Sequence, residues 1–355
     1  MSAPPGDQRH SPMWKANYNN FVNMDGARHL MLRREQMPFF TPKYLNALKD
    51  RIRAEIARLL DALPVEGECD FVEHFSQYLP VFTICEILGI PQADRSKFFG
   101  WLHYLELAFH WMSNDPPAPG TPEAAEAERF AQAFTESTAE MFAYGRDTLH
   151  KRRQSPKDDL MSAIALSKMD GEFLRDEYLD GAWLAIVFAG NDTTRNTITG
   201  SINLLTEFPD QKAKLIANPN LTANAVEEFL RLVSPIIYMR RTATKEVELH
   251  GQKIHEGEKV LMYYASANRD EAVFANPDRL DIARENAAKQ IAFGVGPHVC
   301  MGRRLAQLQL ELFHEQIWRR YPDLQYVGGM EVAANNFAHC INKLPVRYSA
   351  GRKAA

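Results

Sequence analysis

Apolar positions recur at intervals of three and four residues over most of the chain, which predicts a mainly helical protein. The clearest stretches are PKYLNALKDRIRAEIARLLDAL, FSQYLPVFTICEILGI and AAEAERFAQAFTESTAEMFAYGRDTLHKRR. Another helix is predicted from about Phe173 to Phe208, where Pro209 stops it. At 1.5 Å per residue this helix would be about 50 Å long. A last helix is predicted directly after Cys300.

Alternation of apolar and polar positions is confined to the C-terminal third. EVELHGQKIHEGEKVLMYYA predicts strands with turns at 250–251 and 256–257, and FAHCINKLPVRY predicts a terminal strand pair. We therefore expect a mainly α fold with a small β region, in one domain over residues 1–355. Its predicted parts are an irregular segment 1–23, a helical core 24–233 and 301–320, and a β-rich part 235–265 and 330–348.

The long predicted helix carries an unfavourable run at its middle. Gly190, Asn191, Asp192, Thr193 and Thr194 are five poor helix formers in succession. Relative to alanine they cost roughly 3 kcal/mol of helix propensity. Local propensity is usually violated where function requires it, so this run is a candidate functional element.

Composition narrows the function classes. Hydrophobic residues at 45% and charged residues at 24% are typical of globular proteins. A net charge of −4 gives no basic excess for nucleic acid. No apolar run reaches the roughly 20 residues of a membrane helix, and the N-terminus lacks the apolar core of a secretory signal. We expect a cytoplasmic protein without a membrane span or nucleic-acid partner.

The four cysteines, Cys69, Cys85, Cys300 and Cys340, are far apart and form no CxxC pair, which argues against a zinc cage or a disulfide framework. All except Cys300 are interpreted as small core residues. Cys300 stands at the predicted start of a helix, where the dipole and free N–H groups favour a thiolate.

Glycines at 294, 296 and 302 surround Cys300 and let the backbone approach a bulky partner. A thiolate without other ligands at suitable spacing suits an iron whose remaining ligands come from a macrocycle. The alternatives are a phosphate-binding loop and an idle buried cysteine. The phosphate alternative is weak because Pro297 removes an N–H and the glycine spacing does not fit.

The pattern Phe293-x-x-Gly296-x-His298-x-Cys300-x-Gly302 resembles the haem-binding signature of the cytochrome P-450 family, the haem-thiolate monooxygenases. The resemblance extends from about Met24 to Tyr348. It implies the P-450 fold, a triangular helical prism around haem b (iron protoporphyrin IX), with Cys300 as the iron ligand. The other four motif residues would contact the haem.

Two further motifs follow the family's order. Glu228 and Arg231 resemble its Glu-x-x-Arg, which Arg279 would complete as a buried structural triad; their spacing alone would indicate only a solvated surface pair. His29 and Arg33 resemble its His-x-x-x-Arg. With Arg241 and His298, they would bind the haem propionates, for which cationic donors are well suited.

AGNDTT resembles the family's Ala-Gly-x-Asp-Thr-Thr on the long central helix. The resemblance implies that Ala189 contacts haem and that Gly190 lets the helix open where dioxygen sits. Thr193 would hydrogen-bond dioxygen and position a proton-donating water, and Asp192 would relay protons. A reaction that consumes protons inside an apolar site requires such a relay.

By the same resemblance, an apolar pocket would receive a lipophilic substrate of the terpenoid, steroid side-chain or fatty-acid class. Its predicted lining is Trp101, Leu105, Phe109, Ala185, Ile236, Ile237 and Phe337. Electrons would come from an external ferredoxin and ferredoxin reductase, because the chain has no flavin or iron–sulfur motif. The predicted docking face consists of Arg34, Lys43, Arg303 and Arg304, and we expect a monomer.

The chain departs from the family pattern in two places. Only 28 residues precede His29, where family members normally have a helix and two strands, and the usual Leu-Ala-Arg-x-Glu after the cysteine is LAQLQ. Three interpretations therefore stay open: a monooxygenase using dioxygen and ferredoxin, a peroxide-driven peroxygenase, or a haem- or ligand-binding remnant without turnover. Peroxygenases usually lack the acid–alcohol pair that Asp192 and Thr193 form.

Overall fold

A computed structural model describes residues 11–113 and 115–349, without the side chains of residues 109, 110, 112 and 113. The α-helices, in chain order, are α1 (Pro12–Tyr18), α2 (Gly26–Gln36), α3 (Pro42–Asp61), α4 (Tyr78–Leu88), α5 (Ser96–Ser113), α6 (Pro122–Gln154), α7 (Leu160–Leu166), α8 (Asp176–Ala189), α9 (Asp192–Glu207), α10 (Pro209–Ala217), α11 (Thr222–Val233), α12 (Tyr264–Ala267) and α13 (Arg303–Arg320). The strands are β1 (Glu68–Asp70), β2 (Lys168–Met169), β3 (Glu172–Phe173), β4 (Tyr238–Thr242), β5 (Val247–Leu249), β6 (Gln252–Ile254), β7 (Lys259–Tyr263), β8 (Gln325–Tyr326), β9 (Glu331–Val332), β10 (Ile341–Lys343) and β11 (Pro345–Arg347). The predicted fold class, mainly α with small sheets, is confirmed.

The described chain divides into two compact units. The first comprises residues 11–63, 74–113, 115–195 and 300–312, and the second comprises residues 64–73, 196–299 and 313–349. The first unit is helical apart from the β2–β3 hairpin, and its helices α5, α6 and α8 pack against one another. The second unit contains the remaining strands together with α10, α11 and α12.

Pro12–Tyr18 form helix α1, so the prediction of an irregular segment 1–23 is wrong for its described part. Pro12 occupies the first turn of α1, and the Ser11 hydroxyl caps the helix by accepting the Trp14 N–H at 3.1 Å. Helix α1 lies against α8, where Cβ on Gly181 would come within 2.6 Å of the Asn19 carbonyl oxygen. Tertiary packing thus stabilises a helix too short to be stable alone.

The long helix predicted over 173–208 is two helices. Helix α8 begins at Asp176 because the preceding residues form the β2–β3 hairpin, and it ends at Ala189. Gly190 and Asn191 form a turn between α8 and α9. Their immediate environment is tight, since Cβ on Gly190 would lie 2.9 Å from Ile84 Cδ1 on α4. The run of poor helix formers therefore coincides with a break in the helix.

The strands of the second unit are all antiparallel. Strand β11 pairs with both β1 and β8, β9 pairs with β10, and β4 pairs with β7. The predicted β5–β6 hairpin is present, and both of its turn residues, His250 and Gly251, have positive φ as a tight hairpin turn requires.

Two strand predictions are wrong. Strands β10 and β11 do not pair with each other; only Leu344 separates them, too short a connection for the chain to reverse. Strand β1 lies within the stretch of about 24–233 that was predicted as a helical core. It is a three-residue edge element without apolar alternation long enough to be read from sequence.

None of the helices in the described part of the chain has both the length and the apolar composition needed to cross a bilayer.

Candidate active site

Cys300 lies three residues before α13 begins at Arg303, as the sequence predicted. Burial among protein atoms raises the pKa of its thiol, while the Gly302 N–H, the charge of Arg33 and the N–H of Arg303 lower it. These donors are the groups expected to hold a thiolate at a helix N-terminus. Cys300 as a residue is nevertheless exposed to solvent.

The surroundings of the Cys300 sulfur fit a haem iron. Cβ on Gly302 would lie 3.9 Å from Sγ and near no other atom, so the glycine keeps side-chain atoms away from the sulfur. Among the described residues no group of three or more His, Cys, Asp or Glu side chains could hold a metal ion. A single sulfur donor suits an iron whose other ligands belong to a macrocycle.

Helix α2 of the first unit carries His29 and Arg33. The buried His29 ring is oriented by a hydrogen bond between Nδ1 and the Phe21 carbonyl oxygen at 2.8 Å. Because a carbonyl only accepts, Nδ1 carries the proton. Burial lowers the pKa of the half-buried Arg33, and interaction with Cys300 opposes that shift. The structure therefore brings a guanidinium within electrostatic reach of the sulfur.

The second unit holds the other predicted haem contacts. Arg241 is exposed on β4, and its charge lowers the pKa of Tyr264 against a larger rise caused by burial. Cβ on Gly294 would lie 3.0 Å from Tyr264 Oη, so this tyrosine also packs closely against the glycine loop. In that loop Phe293 and His298 are half-buried and Gly296 is exposed, with φ of +73° that favours glycine.

The break between α8 and α9 brings together the candidate oxygen-activation residues. Ala189 is exposed, and Gly190 and Thr193 are half-buried. Thr193 Oγ1 donates to the Ala189 carbonyl at 3.2 Å. The buried Asp192 carboxylate accepts from Asn191 Nδ2 at 2.8 Å. An alcohol and a carboxyl group therefore stand on successive residues at an interrupted helix.

Two charged residues that the sequence analysis did not identify surround Asp192. Arg195 NH1 donates to Glu106 on α5 at 3.0 Å, and Arg195 NH2 lies 3.9 Å from Asp192 Oδ1. Burial raises the pKa of the Glu106 carboxyl well above its usual range, and Asp192 adds to the rise while Arg195 opposes it. The sequence signal was a single carboxylate inside the aromatic stretch WLHYLELAFHW.

The predicted triad is corrected by the structure. Glu228 and Arg231 form a fully buried pair with 2.6 Å between Oε1 and Nε, but the second arginine on Glu228 is Arg284, at 3.1 Å. The side chain of Arg279 is instead paired with Asp210 at 3.3 Å and is 60% exposed. Arg279 contributes only its carbonyl, which accepts from Arg231 NH2 at 3.2 Å.

The predicted pocket residues fall into separate groups. In the second unit, Ile236, Ile237 and Phe337 are half-buried and adjacent, since Ile237 N–H donates to the Phe337 carbonyl at 2.8 Å. In the first unit, Leu105 and Ala185 are buried.

Trp101 is a core residue, contrary to its predicted place in the pocket lining. Its ring is 2% exposed and packs against Phe98, Tyr144 and Trp183. A large aromatic ring that other aromatic rings surround fills the interior and leaves no face for a substrate. The side chain of Phe109 lies outside the described residues.

Comparisons with known proteins agree on one family. The sequence model described as Cytochrome P-450 matches residues 9–325. The chain is 33% identical to cytochrome P-450-terp of a Pseudomonas species, over 93% of this chain and 76% of the relative. It is 34% identical to a steroid C26-monooxygenase of Mycobacterium tuberculosis, over 92% of this chain and 85% of the relative.

A solved structure of a Mycobacterium marinum cytochrome P-450 in complex with pseudoionone is similar as well. It aligns with a TM-score of 0.83 at 34% identity, and the alignment covers 94% of this chain and 78% of that one.

Proposed function

This chain belongs to the cytochrome P-450 family of monooxygenases, and we propose that it inserts one oxygen atom of dioxygen into a C–H bond of a terpenoid, a steroid side chain or a fatty acid. The observation that carries the proposal is the acid–alcohol pair, Asp192 and Thr193, at the break between α8 and α9. The relatives support the substrate class, because a steroid C26-monooxygenase and a pseudoionone complex are both similar to this chain.

The proposed cofactor is haem b, with Cys300 as the iron ligand and His29, Arg33, Arg241 and His298 as partners of its propionates. When bound, the haem supplies the activation of dioxygen and the oxidation of the substrate carbon. The chain's own residues would do the rest. Gly302 and Arg303 N–H groups favour the thiolate, and Arg33 adds positive charge near it.

Proton delivery would be the task of the helix break. Thr193 Oγ1 can accept a hydrogen bond from a water while its own proton is directed to the Ala189 carbonyl or to a ligand. Asp192 stands one residue away and would return protons to that water. A general acid must lie within hydrogen-bond distance of the group that it protonates, directly or through one water, and must carry a transferable proton.

The electron donor would be an external ferredoxin with its reductase. The supporting feature is a basic set of side chains in the first unit: Arg34 and Lys43 are exposed, as is Arg304, and Arg303 is half-buried. Positive side chains of this kind accelerate encounter with an acidic partner at low ionic strength.

The experiment is turnover of the purified, haem-loaded protein with a surrogate ferredoxin and reductase, isotopically labelled dioxygen, and a panel of terpenoids, sterols and fatty acids. We expect a hydroxylated product that carries the label and requires ferredoxin. If product forms with peroxide but not with dioxygen, the protein is a peroxygenase and the proposed monooxygenase activity is refuted. Absence of product from all three classes would refute the proposed substrate class.

A further inference from the structure

Glu106 links helix α5 to the helix break that contains Asp192. Its carboxyl oxygens receive Arg195 NH1 at 3.0 Å and lie 3.5 Å from Asn191 Nδ2. Asn191 Nδ2 also donates to Asp192 Oδ1 at 2.8 Å, and Arg195 NH2 lies 3.9 Å from the same oxygen. Two carboxyl groups from different helices therefore share the Asn191 amide and the Arg195 guanidinium.

The charges of this cluster do not balance when both acids are ionised. Among the described side chains Arg195 is the arginine of the group, and its side chain and that of Asp192 are both more than nine-tenths buried. Two carboxylates beside one guanidinium leave an excess negative charge in a poorly solvated place, which is expensive. One proton between them removes this excess charge.

We propose that Glu106 and Asp192 share one proton, and that Glu106 is a positioning residue that keeps this proton beside Thr193. The proposal rests on the proposed function, in which Asp192 relays protons. A proton leaves the pair toward the water at Thr193, and a proton from solvent replaces it. No electron is transferred in this step. Glu106 would thus make Asp192 a proton donor instead of a lone carboxylate.

The principal charges that act on Glu106 are those of Asp192 and Arg195, both on α9. Helices α6 and α8 and the turn Gln92–Asp94 also pack against α5. None of the principal charges that act on Glu106 comes from the described residues of these three elements. The shared proton that we propose would belong to neither residue alone. This property gives the proposal a direct spectroscopic test.

The test is infrared spectroscopy of the full-length, haem-loaded ferric protein at neutral pH, with wild type compared to Glu106→Gln, Asp192→Asn and the surface control Glu140→Gln. We expect the C=O stretch of a buried protonated carboxyl in wild type and in E140Q. Both E106Q and D192N should lose it, since the remaining acid would pair with Arg195 as a carboxylate. If wild type lacks this band, or if only one of the two variants loses it, Glu106 and Asp192 do not share a proton.

The positioning role has its own measurement. With dioxygen and the surrogate redox proteins, E106Q should lower product formed per electron by roughly tenfold, less than the 10²-fold or more expected for loss of a proton donor itself. The control E140Q should match wild type. Equal product per electron in E106Q and wild type would overturn the positioning role of Glu106. If wild type forms no product, the proposed function fails, whereas the infrared result still decides the sharing.

Discussion

Two clusters of acids and arginines in this protein, one fully buried around Glu228 and one mostly buried around Asp192, have opposite charge balance. In the second unit, the single carboxylate of Glu228 is paired with two arginines, Arg231 and Arg284. In the first unit, two carboxyl groups, Glu106 and Asp192, face the single guanidinium of Arg195. The Glu228 cluster has an excess of positive charge. The Glu106–Asp192 cluster has an excess of negative charge unless it holds a proton.

The surroundings of each cluster explain what each can do. The excess positive charge around Glu228 is compensated by carbonyl oxygens: Arg231 NH1 donates to Asn268 at 2.9 Å, and Arg284 NH1 donates to Ala275 at 2.7 Å. Carbonyls cannot titrate, so this cluster is fixed and holds structure. The excess negative charge around Glu106 is removed by a proton, which can move. A buried arginine excess is therefore suited to stability and a buried acid excess to proton transfer.

The same substitution in the two clusters gives the largest predicted contrast. Glu228→Gln should destabilise the protein by about 3–5 kcal/mol, because two buried arginines lose their counter-charge. Glu106→Gln should cost less than about 1 kcal/mol, because an amide replaces a protonated carboxyl and keeps its hydrogen bonds. Soluble yield and thermal midpoints of the haem-loaded proteins measure both. Equal losses would contradict the distinction between the clusters.

Thr193→Ala tests the function assigned to the acid-rich cluster. Loss of the hydroxyl beside Asp192 should reduce product per electron on the order of 10²-fold, since a positioned proton path contributes at least that much. Stability should change little, because the hydroxyl donates to a carbonyl of its own helix region. Electron consumption and product are measured together. Unchanged coupling would remove Thr193 from the proton path.

Arg284→Met against Arg279→Met tests the corrected triad. We expect R284M to cost about 1–3 kcal/mol, because Glu228 loses one of its two buried arginine ion pairs and keeps the other. R279M should cost at most about 1 kcal/mol, the usual worth of an exposed ion pair. Thermal unfolding of the two variants side by side provides the comparison. The reverse order would restore Arg279 to the triad.

The pH dependence of stability gives the smallest predicted effect. The raised pKa of folded Glu106 lies above its unfolded value of about 4.3, so the folded state retains a proton that the unfolded state releases. Wild type should therefore lose stability as pH rises from about 4.3 through the folded pKa, and E106Q should lack this part of the loss. Thermal midpoints over a pH series measure it. An E106Q curve parallel to wild type would contradict the raised pKa.

Short-range patterns made the helices and the cysteine loop predictable. The helix start after Cys300, the hairpin at His250–Gly251 and the unfavourable run at 190–194 all depend on residues close in sequence. The run indicated a functional element within the predicted helix, and the structure shows that the helix is interrupted there for two residues. Helix α1 was missed because its stability depends on packing against α8, which no local pattern encodes.

Long-range pairings were beyond sequence patterns. Arg279 and Arg284 are five residues apart in one irregular segment, and nothing local tells which side chain turns toward Glu228. Glu106 is 86 residues from Asp192 in sequence, so their shared partner Arg195 depends on how α5 packs. Trp101 lies in an apolar helix, where the sequence does not distinguish residues that face the core from residues that line a pocket.

The central claim, that Cys300 binds a haem iron as a thiolate, is tested most directly by the absorption spectrum of the purified, reduced protein with carbon monoxide. The account predicts a strongly red-shifted Soret band, and its loss in Cys300→Ser despite retained secondary structure. A Soret band at the position typical of haem with a neutral ligand, or no haem at all in the wild-type protein, would contradict it.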